Sequence, residues 1–462
     1  MAFRDDLIKA RSYIVFITGL LVAFSLVYTV EKNAKLGKPA PSDCDDKIAK
    51  KLADRTQTVY QFKAVDDHTL ENSANRPVMP AARKLTAEEM RLARVAWAYF
   101  KNNTRPETGM SNSVQNYTAS TMWDTASYML GAISAERLGI ISRPELLQRM
   151  RKILKTLETM PLFEGKLPNK SYSTVNGKMV TYTNKETADG IGWSAIDIGR
   201  TLVPMNALAW QYPELTEQTR RVIARWDFKA IANNGEMIGA VRGKDNKTRY
   251  VQEGRVGYEQ YAAKSLALLG LDMSRALNWN AQLQYVDVYG LKIPTDKRDA
   301  KRFGAQNFVV IENYMLDGLE FGFDSTSREY AWRIYQAQAA RYKDKGILTA
   351  VSEDHLDGAP YFVYSTIYSD GKPWNVITEN GKDATAFRML STKAVFSWYA
   401  LYRDAYGAKM LKAITPLGDA KKGWYTGKYE STGKVNGSLN ANTNGIVLES
   451  LSYIQTGKML PF

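Results

Sequence analysis

Histidine and cysteine are nearly absent from this chain of 462 residues: His68 and His355 are its imidazoles and Cys44 is its one thiol. A single cysteine cannot close an internal disulfide. It follows Pro41-Ser42-Asp43 with no apolar run before it, which speaks against a lipid-attachment site. Two histidines disfavour a histidine-built metal centre and a His-dependent nucleophile. His68 stands beside Asp66 and Asp67 with no second histidine nearby, the pattern of a solvated turn. No Gly-x-Ser-x-Gly elbow, P-loop or dinucleotide fingerprint occurs. A calcium site of oxygen ligands alone stays open, but no metal or cofactor is expected. The net charge of +14 would suit a polyanion or an anionic membrane surface. The basic residues are spread rather than clustered, however, and no finger, reader helix or RNA-binding motif is present, so nucleic acid is not an expected partner.

What the chain does contain is apolar mass and aromatics: 45% hydrophobic residues, ten Trp and 27 Tyr. That supports a substantial core and offers rings that could stack on sugar faces. Residues 1–12 form a short charged tail. Tyr13 to Val30 carry no charge and are rich in Ile, Val, Leu, Phe and Ala. That length is close to a minimal bilayer span, with no Ala-x-Ala cleavage site closing it. The expectation is an N-terminal transmembrane helix over 13–30, holding the protein in the inner membrane as a single pass with its main domain facing the periplasm. Residues 31–85, interrupted by Pro39, Pro41, Pro77 and Pro80, have the composition of a linker.

From Thr86 the pattern becomes helical. Thr86 with Glu88 and Glu89 opens a helix carrying Leu92, Val95, Ala96, Tyr99 and Phe100 at helical spacing. Helices are expected over 125–138, over 143–160 behind the cap Ser142 and Pro144, and over 194–211, 214–230, 256–270, 307–319, 326–342, 384–405 and 441–456. Their linkers are long and rich in Gly, Asn, Asp, Tyr and Trp, as functional loops are. Asn176-Gly177 between extended flanks predicts a small hairpin. The expected fold is all-α: a closed ring of helix pairs over 86–462 with long decorated loops gathered at one end.

Four clusters in those loops could carry chemistry. Asp124, beside Trp123, could bind sugar hydroxyls or simply cap a helix. Asp189 lies in the turn before Gly190-Ile191-Gly192-Trp193, where a surface-turn aspartate is the plain alternative. Asp197 and Arg200, three apart on a helix, are spaced to pair with each other. Glu253 and Glu259 flank a helix start with Arg255 and Tyr258 between them. Glu312 stands among Val309, Val310 and Ile311, where burial would raise its pKa as a general acid requires; exposure on the polar face of its helix is the plain alternative. Hydrolysis of a glycosidic bond needs a proton donor and a second carboxylate. A chain rich in loop carboxylates and poor in histidine matches that demand better than acyl transfer. Elimination with Tyr258 as base, Arg255 and His355 is the nearest enzymatic alternative.

Several motifs resemble the bacterial family DUF3131: Met122-Trp123-Asp124-Thr125-Ala126-Ser127-Tyr128, Ala188 to Asp197, Gln252-Glu253-Gly254, Gly257-Tyr258-Glu259-Gln260-Tyr261, Phe321-Gly322-Phe323, Gly423 to Glu430 and Asn442 to Glu449. That family is similar to the six-hairpin, glucoamylase-like glycosidases. The resemblance therefore implies an (α/α)6 toroid with a carbohydrate role in the cell envelope, and it supplies no matched catalytic pair. The expectation is a membrane-anchored glycoside hydrolase acting on a β-glucan or exopolysaccharide. Its candidate carboxylates are Glu253 as acid and Asp189 as base, with Asp124 and Glu312. Trp123, Trp193, Arg255, Tyr258, Glu259 and Trp424 are the candidate substrate-binding residues. Alternatives are a non-catalytic polysaccharide-binding component of synthesis or export machinery, and a polysaccharide lyase.

Overall fold

The computed structural model describes residues 70–303 and 306–461. Helix α1 (Ala87–Asn103) starts at a reciprocal cap: Thr86 Oγ1 accepts the Glu89 N–H at 3.1 Å, and the Glu89 carboxylate accepts the Thr86 N–H at 2.8 Å. It is followed by α2 (Met122–Arg137), α3 (Arg143–Thr159), α4 (Ala195–Gln211), α5 (Pro213–Ala224) and α6 (Tyr258–Leu268). Then come α7 (Glu312–Leu316, continued by a π turn over Asp317–Phe321), α8 (Ser325–Lys345), α9 (Thr392–Tyr402), α10 (Ala405–Ile414) and α11 (Ala441–Thr456). Ser142 caps α3, whose second residue is Pro144.

Six of these helices close a ring. α2 packs on α4, α4 on α6, α6 on α7, α7 on α9, α9 on α11, and α11 back on α2. They are buried on almost every side, so their sequences run apolar and small all round rather than along one stripe. α1, α3, α5, α8 and α10 lie outside this ring. The stripe Leu146, Met150, Ile153, Leu154 and Leu157 of α3 shows the one-sided burial expected there. Between α6 and α7 the described residues form only the short helices Trp279–Ala281 and Ala300–Phe303 and no long outer helix. A hairpin of Leu283–Val288 with Leu291–Asp296 stands there instead and packs on α8.

Small residues let the inner helices approach closely. Gly445 of α11 faces the backbone of α2, where an added Cβ would lie 2.5 Å from the Ser127 carbonyl oxygen. Gly199 of α4 faces Ala262 of α6 in the same way, at 2.9 Å. Residues 70–85 run against the helices: Ser73 donates through N and Oγ to Glu329 at 3.0 and 2.6 Å, and Arg76 reaches the other oxygen at 3.0 Å.

Two expectations need correcting. The chain is not all-α. Its long loops pair into eighteen short strands in seven small sheets among the described residues, because their Thr-, Tyr- and Val-rich segments meet in antiparallel register. The expected helix over 384–405 begins only at Thr392, since Met389–Ser391 pairs with Gly427–Tyr429. The membrane-anchored architecture is also corrected. Among the described residues no helix is long and apolar enough to cross a membrane, and the expected span over 13–30 lies outside the described residues. The single-pass inner-membrane location, the periplasm-facing orientation and the inner-membrane partner rested on that span, and the described residues support neither these nor the export-machinery partner.

Replacing Gly445 by Ala forces a methyl group into the α2–α11 crossing and should lower unfolding stability by about 1–3 kcal/mol. Urea titration of the variant against wild type measures this, and an unchanged midpoint would contradict the close crossing.

Candidate active site

The first turns of the inner helices converge on one carboxylate. Glu312, at the start of α7, is fully buried. Its Oε1 accepts the Trp123 indole N–H from α2 at 2.8 Å and the Asn442 amide from α11 at 2.8 Å. Lys393 of α9 donates to its Oε2. Arg200 of α4 stands 3.9 Å away, with its guanidinium 4.5 Å from the centre of the Trp123 ring. Burial alone would raise this carboxyl, but the charges of Lys393 and Arg200 hold it below the usual range.

Deeper in the ring Arg200 donates to Ser127, Asn442 and Glu449 at 2.8, 2.9 and 3.2 Å and lies 3.6 Å from Glu320. Burial keeps both Glu320 and Glu449 above the ordinary carboxylate range, and the Glu320 charge adds to the shift at Glu449. Charge therefore plugs the ring at this level, and the remaining acids lie at its loop end.

At that loop end Ser194 Oγ lies 2.7 Å from Glu253 and 3.1 Å from Asp197, so two carboxylates share one hydroxyl. Glu253 also accepts the Ala195 N–H, at the start of α4, at 2.6 Å. Burial and then the neighbouring Glu253 charge push Asp197 up to about 7. Glu253 is raised too, by burial, with Lys170 opposing. Close by, Asp124 accepts from Thr121 Oγ1 at 2.8 Å. Burial raises it while the charges of His355 and Arg200 pull it back.

The strand Glu353–His355 brings three titratable residues to the same mouth. Glu353 accepts from the Tyr258 hydroxyl of α6, and Lys393 donates to the Glu353 carbonyl. Asp354 is buried with both oxygens lacking a hydrogen bond, 3.5 Å from Lys393, and burial pushes it up to about 7 despite that cation. Burial lowers His355, and Asp124 opposes the shift. Such an arrangement can hold one carboxyl protonated near neutral pH beside others, which is what acid–base chemistry on a neutral substrate requires.

The sequence profile described as "Protein of unknown function (DUF3131)" matches residues 91–457. The chain belongs to the DUF3131 family. No curated protein matches it. Among solved structures it is similar to a proposed glucoamylase from Bacteroides uniformis, at 13% identity and a TM-score of 0.57 over 82% of this chain and 94% of that one. The endo-β-1,2-glucanase from Chitinophaga pinensis, solved with sophorotriose and glucose, matches at 13% identity and a TM-score of 0.57, over 81% of this chain and 94% of that one. The endo-β-1,2-glucanase from Talaromyces funiculosus, solved with sophorose, matches at 10% identity and 0.53, over 81% and 84%. At these identities the likeness establishes the fold, that of the six-hairpin glycosidases.

Of the residues singled out in the sequence, the structure gathers Trp123, Asp124, Glu253, Tyr258 and Glu312 around the ring mouth. Asp189 is not among them: it is exposed in its turn and makes no hydrogen bond or ion pair to a described residue. Glu312 is no free acid, because every oxygen is occupied and its pKa moves down rather than up. Trp193 and Trp424 cannot stack on a substrate. Both are fully buried, with indole N–H groups spent on the carbonyls of Ile238 and Leu92. Glu259 is tied to Arg298 at 2.5 and 3.1 Å and to Gln252 at 2.6 Å, and Arg255 donates to Gln252 and to the Gly254 carbonyl. These two brace the loop that presents Glu253. Arg200 does not pair with Asp197; it turns inward.

Sequence reasoning missed Asp197 as an acid, the strand Glu353–His355 and Lys393. Lys393 had a legible signal, a lone cation in the first turn of an otherwise apolar helix, the counterpart of Glu312.

Replacing Lys393 by Met leaves Glu312 buried without its closest cation and should cost about 3–5 kcal/mol of stability. Adding Glu312→Gln should recover part of that loss in the same denaturant titration. Asp354 carries a pH signature. Its folded pKa is raised, so its contribution to stability is complete below the ordinary aspartate range and is lost as pH rises through about 7. Asp354→Asn should therefore match wild-type Tm near pH 3 and exceed it at pH 8; equal melting curves at pH 8 would refute the burial cost.

Proposed function

We propose that this protein is a glycoside hydrolase acting on a neutral β-glucan, with Asp197 as the proton donor and Asp124 as the carboxylate that activates water. The observation that carries this reading is the Asp197 carboxyl, pushed up to about 7 beside Glu253 at the loop end of the ring. Likeness of fold to two β-1,2-glucanases supports a β-1,2-linked polymer as the first substrate to try.

Asp197 delivers its proton to the glycosidic oxygen as the carbon–oxygen bond breaks. A water adds its hydroxyl to the anomeric carbon and gives its proton to Asp124. The donor needs a pKa near the working pH, and Glu253 supplies the negative charge that keeps it there. Glu253 itself accepts from Ser194 and from the first N–H of α4, donors that favour its ionised form. It is thus a positioning residue, and the acid role expected of it passes to its neighbour. Carboxylates at the mouth would repel a uronate polymer, which argues against elimination on such a chain.

Reducing-end release from β-1,2-glucan, within a panel of β-1,3-, β-1,4- and α-linked glucans and a polyuronate, tests the proposal. Wild type should cut a neutral β-glucan, and Asp197→Asn should lower kcat by about 10²–10⁴-fold. Because the acid must be protonated, activity should fall as pH rises through about 7. Glu253→Gln should move that fall to lower pH. No product from any glucan, or full activity in folded Asp197→Asn, would overturn the assignment.

A further inference from the structure

The loop region 353–377 forms a three-stranded sheet of Glu353–His355, Phe362–Ser365 and Val376–Ile377. Its two faces differ. Val363 and Val376 point into an apolar cluster with Leu356, Ala384 and Met389. The alternate residues Phe362 and Tyr364 share the opposite face and are half-buried. Across the register Phe362 stands opposite His355 and Tyr364 opposite Glu353, so all four side chains lie on one face.

On that face the rings form a continuous strip. Phe308 lies parallel to Tyr364, centroids 3.9 Å apart and planes at 3°. Tyr364 meets Phe362 edge-on at 5.3 Å, and Phe362 meets His355 edge-on at 5.0 Å. The strip looks onto the acids of the ring mouth: Tyr364 is within electrostatic reach of Glu379, Glu353, Asp197 and Glu312, and His355 of Asp124. The core of this sheet is complete without these rings, since Val363 and Val376 already bury its other face. Three half-buried apolar rings left beside a polar, acidic cleft serve no packing need that their neighbours require.

We infer that Phe308, Phe362 and Tyr364 are a sugar-stacking subsite, which holds the apolar face of an uncharged pyranose ring. The inference rests on the glycan-cleft reading above and adds which wall grips the chain. Aromatic rings recognise the C–H face of a sugar, while Glu379, Glu353 and the Tyr364 hydroxyl can pair with its equatorial hydroxyls. Because its ring centroids run in series, 3.9 and 5.3 Å apart, the strip offers more contact to longer chains than to short ones.

Calorimetric titration of Asp197→Asn protein with β-1,2-gluco-oligosaccharides of increasing length tests the subsite without turnover, alongside kinetics in the wild-type background. Phe362→Ala should weaken affinity, and raise KM with kcat nearly unchanged, by about three- to tenfold for the longer chains and little for the shortest one bound. Phe362→Tyr should keep wild-type affinity. Phe308→Ala provides a second variant should Phe362→Ala fold poorly, and its affinity loss should show the same length dependence. Cleavage with unchanged KM at every length in both alanine variants would overturn the subsite and leave the hydrolase reading standing. Length-dependent binding lost in Phe362→Ala without any cleavage by wild type would do the reverse. Absence of both binding and cleavage would remove both.

Discussion

A carboxylate with no exposed surface, at the meeting point of four other helices, is the constraint on which this ring depends. Glu312 tolerates burial only because Trp123, Asn442, Lys393 and Arg200 come from α2, α11, α9 and α4 to satisfy it. Each of those residues lies in the first or second turn of its helix. The N-terminal ends of the inner helices, carrying partial positive charge, therefore face the same anion. The apolar sides of the helices could pack in several offsets. The shared carboxylate selects the offset in which all first turns are level, and so defines which end of the ring is a mouth.

That choice separates two kinds of acid along the same helices. Carboxyls with cations on hand, such as Glu312, are held ionised and belong to the scaffold. Those a turn nearer the loops, such as Asp197, are buried enough to resist ionisation, and a second carboxylate's charge outweighs the hydroxyl and the Lys170 cation that oppose it. The difference is not residue type or burial alone but the sign of the nearest charge. Lys393 illustrates the boundary: it serves Glu312 on one side, and on the other leaves Asp354 only a 3.5 Å ion pair with no hydrogen bond.

The helices were legible because their signals are local. Thr86 with Glu89, and Ser142 with Pro144, mark helix starts through contacts three residues apart. The Asn176-Gly177 turn likewise appears, with Tyr172 bridging to Met179. The sheet over 353–377 was not legible, since its strands are two to four residues long and each acquires meaning only from a partner beyond a turn. Asp197 and Arg200 show the same limit in the site. Their spacing predicts a pair, but Arg200 is drawn inward by Glu312, Glu320 and Glu449, residues over a hundred positions away in the sequence. Trp193 and Trp424 follow the same logic: a tryptophan beside glycines in a loop motif reads as a stacking platform until the fold turns it into the core.

Net charge proved a poor guide for a related reason. A surplus of 62 basic over 48 acidic side chains describes the whole chain, whereas a substrate meets the few groups within a Debye length of the cleft, about 8–10 Å. There Asp124, Asp197, Glu253, Glu353 and Glu379 outnumber the cations, and Lys393 and Arg200 are already engaged by buried carboxylates. A polyanion drawn toward the protein by its overall charge would meet repulsion at the mouth. An uncharged polymer pays no such penalty, and can instead offer hydroxyl donors to carboxylates that lack other partners. The local field thus points to a neutral substrate, opposite to what the overall charge suggests.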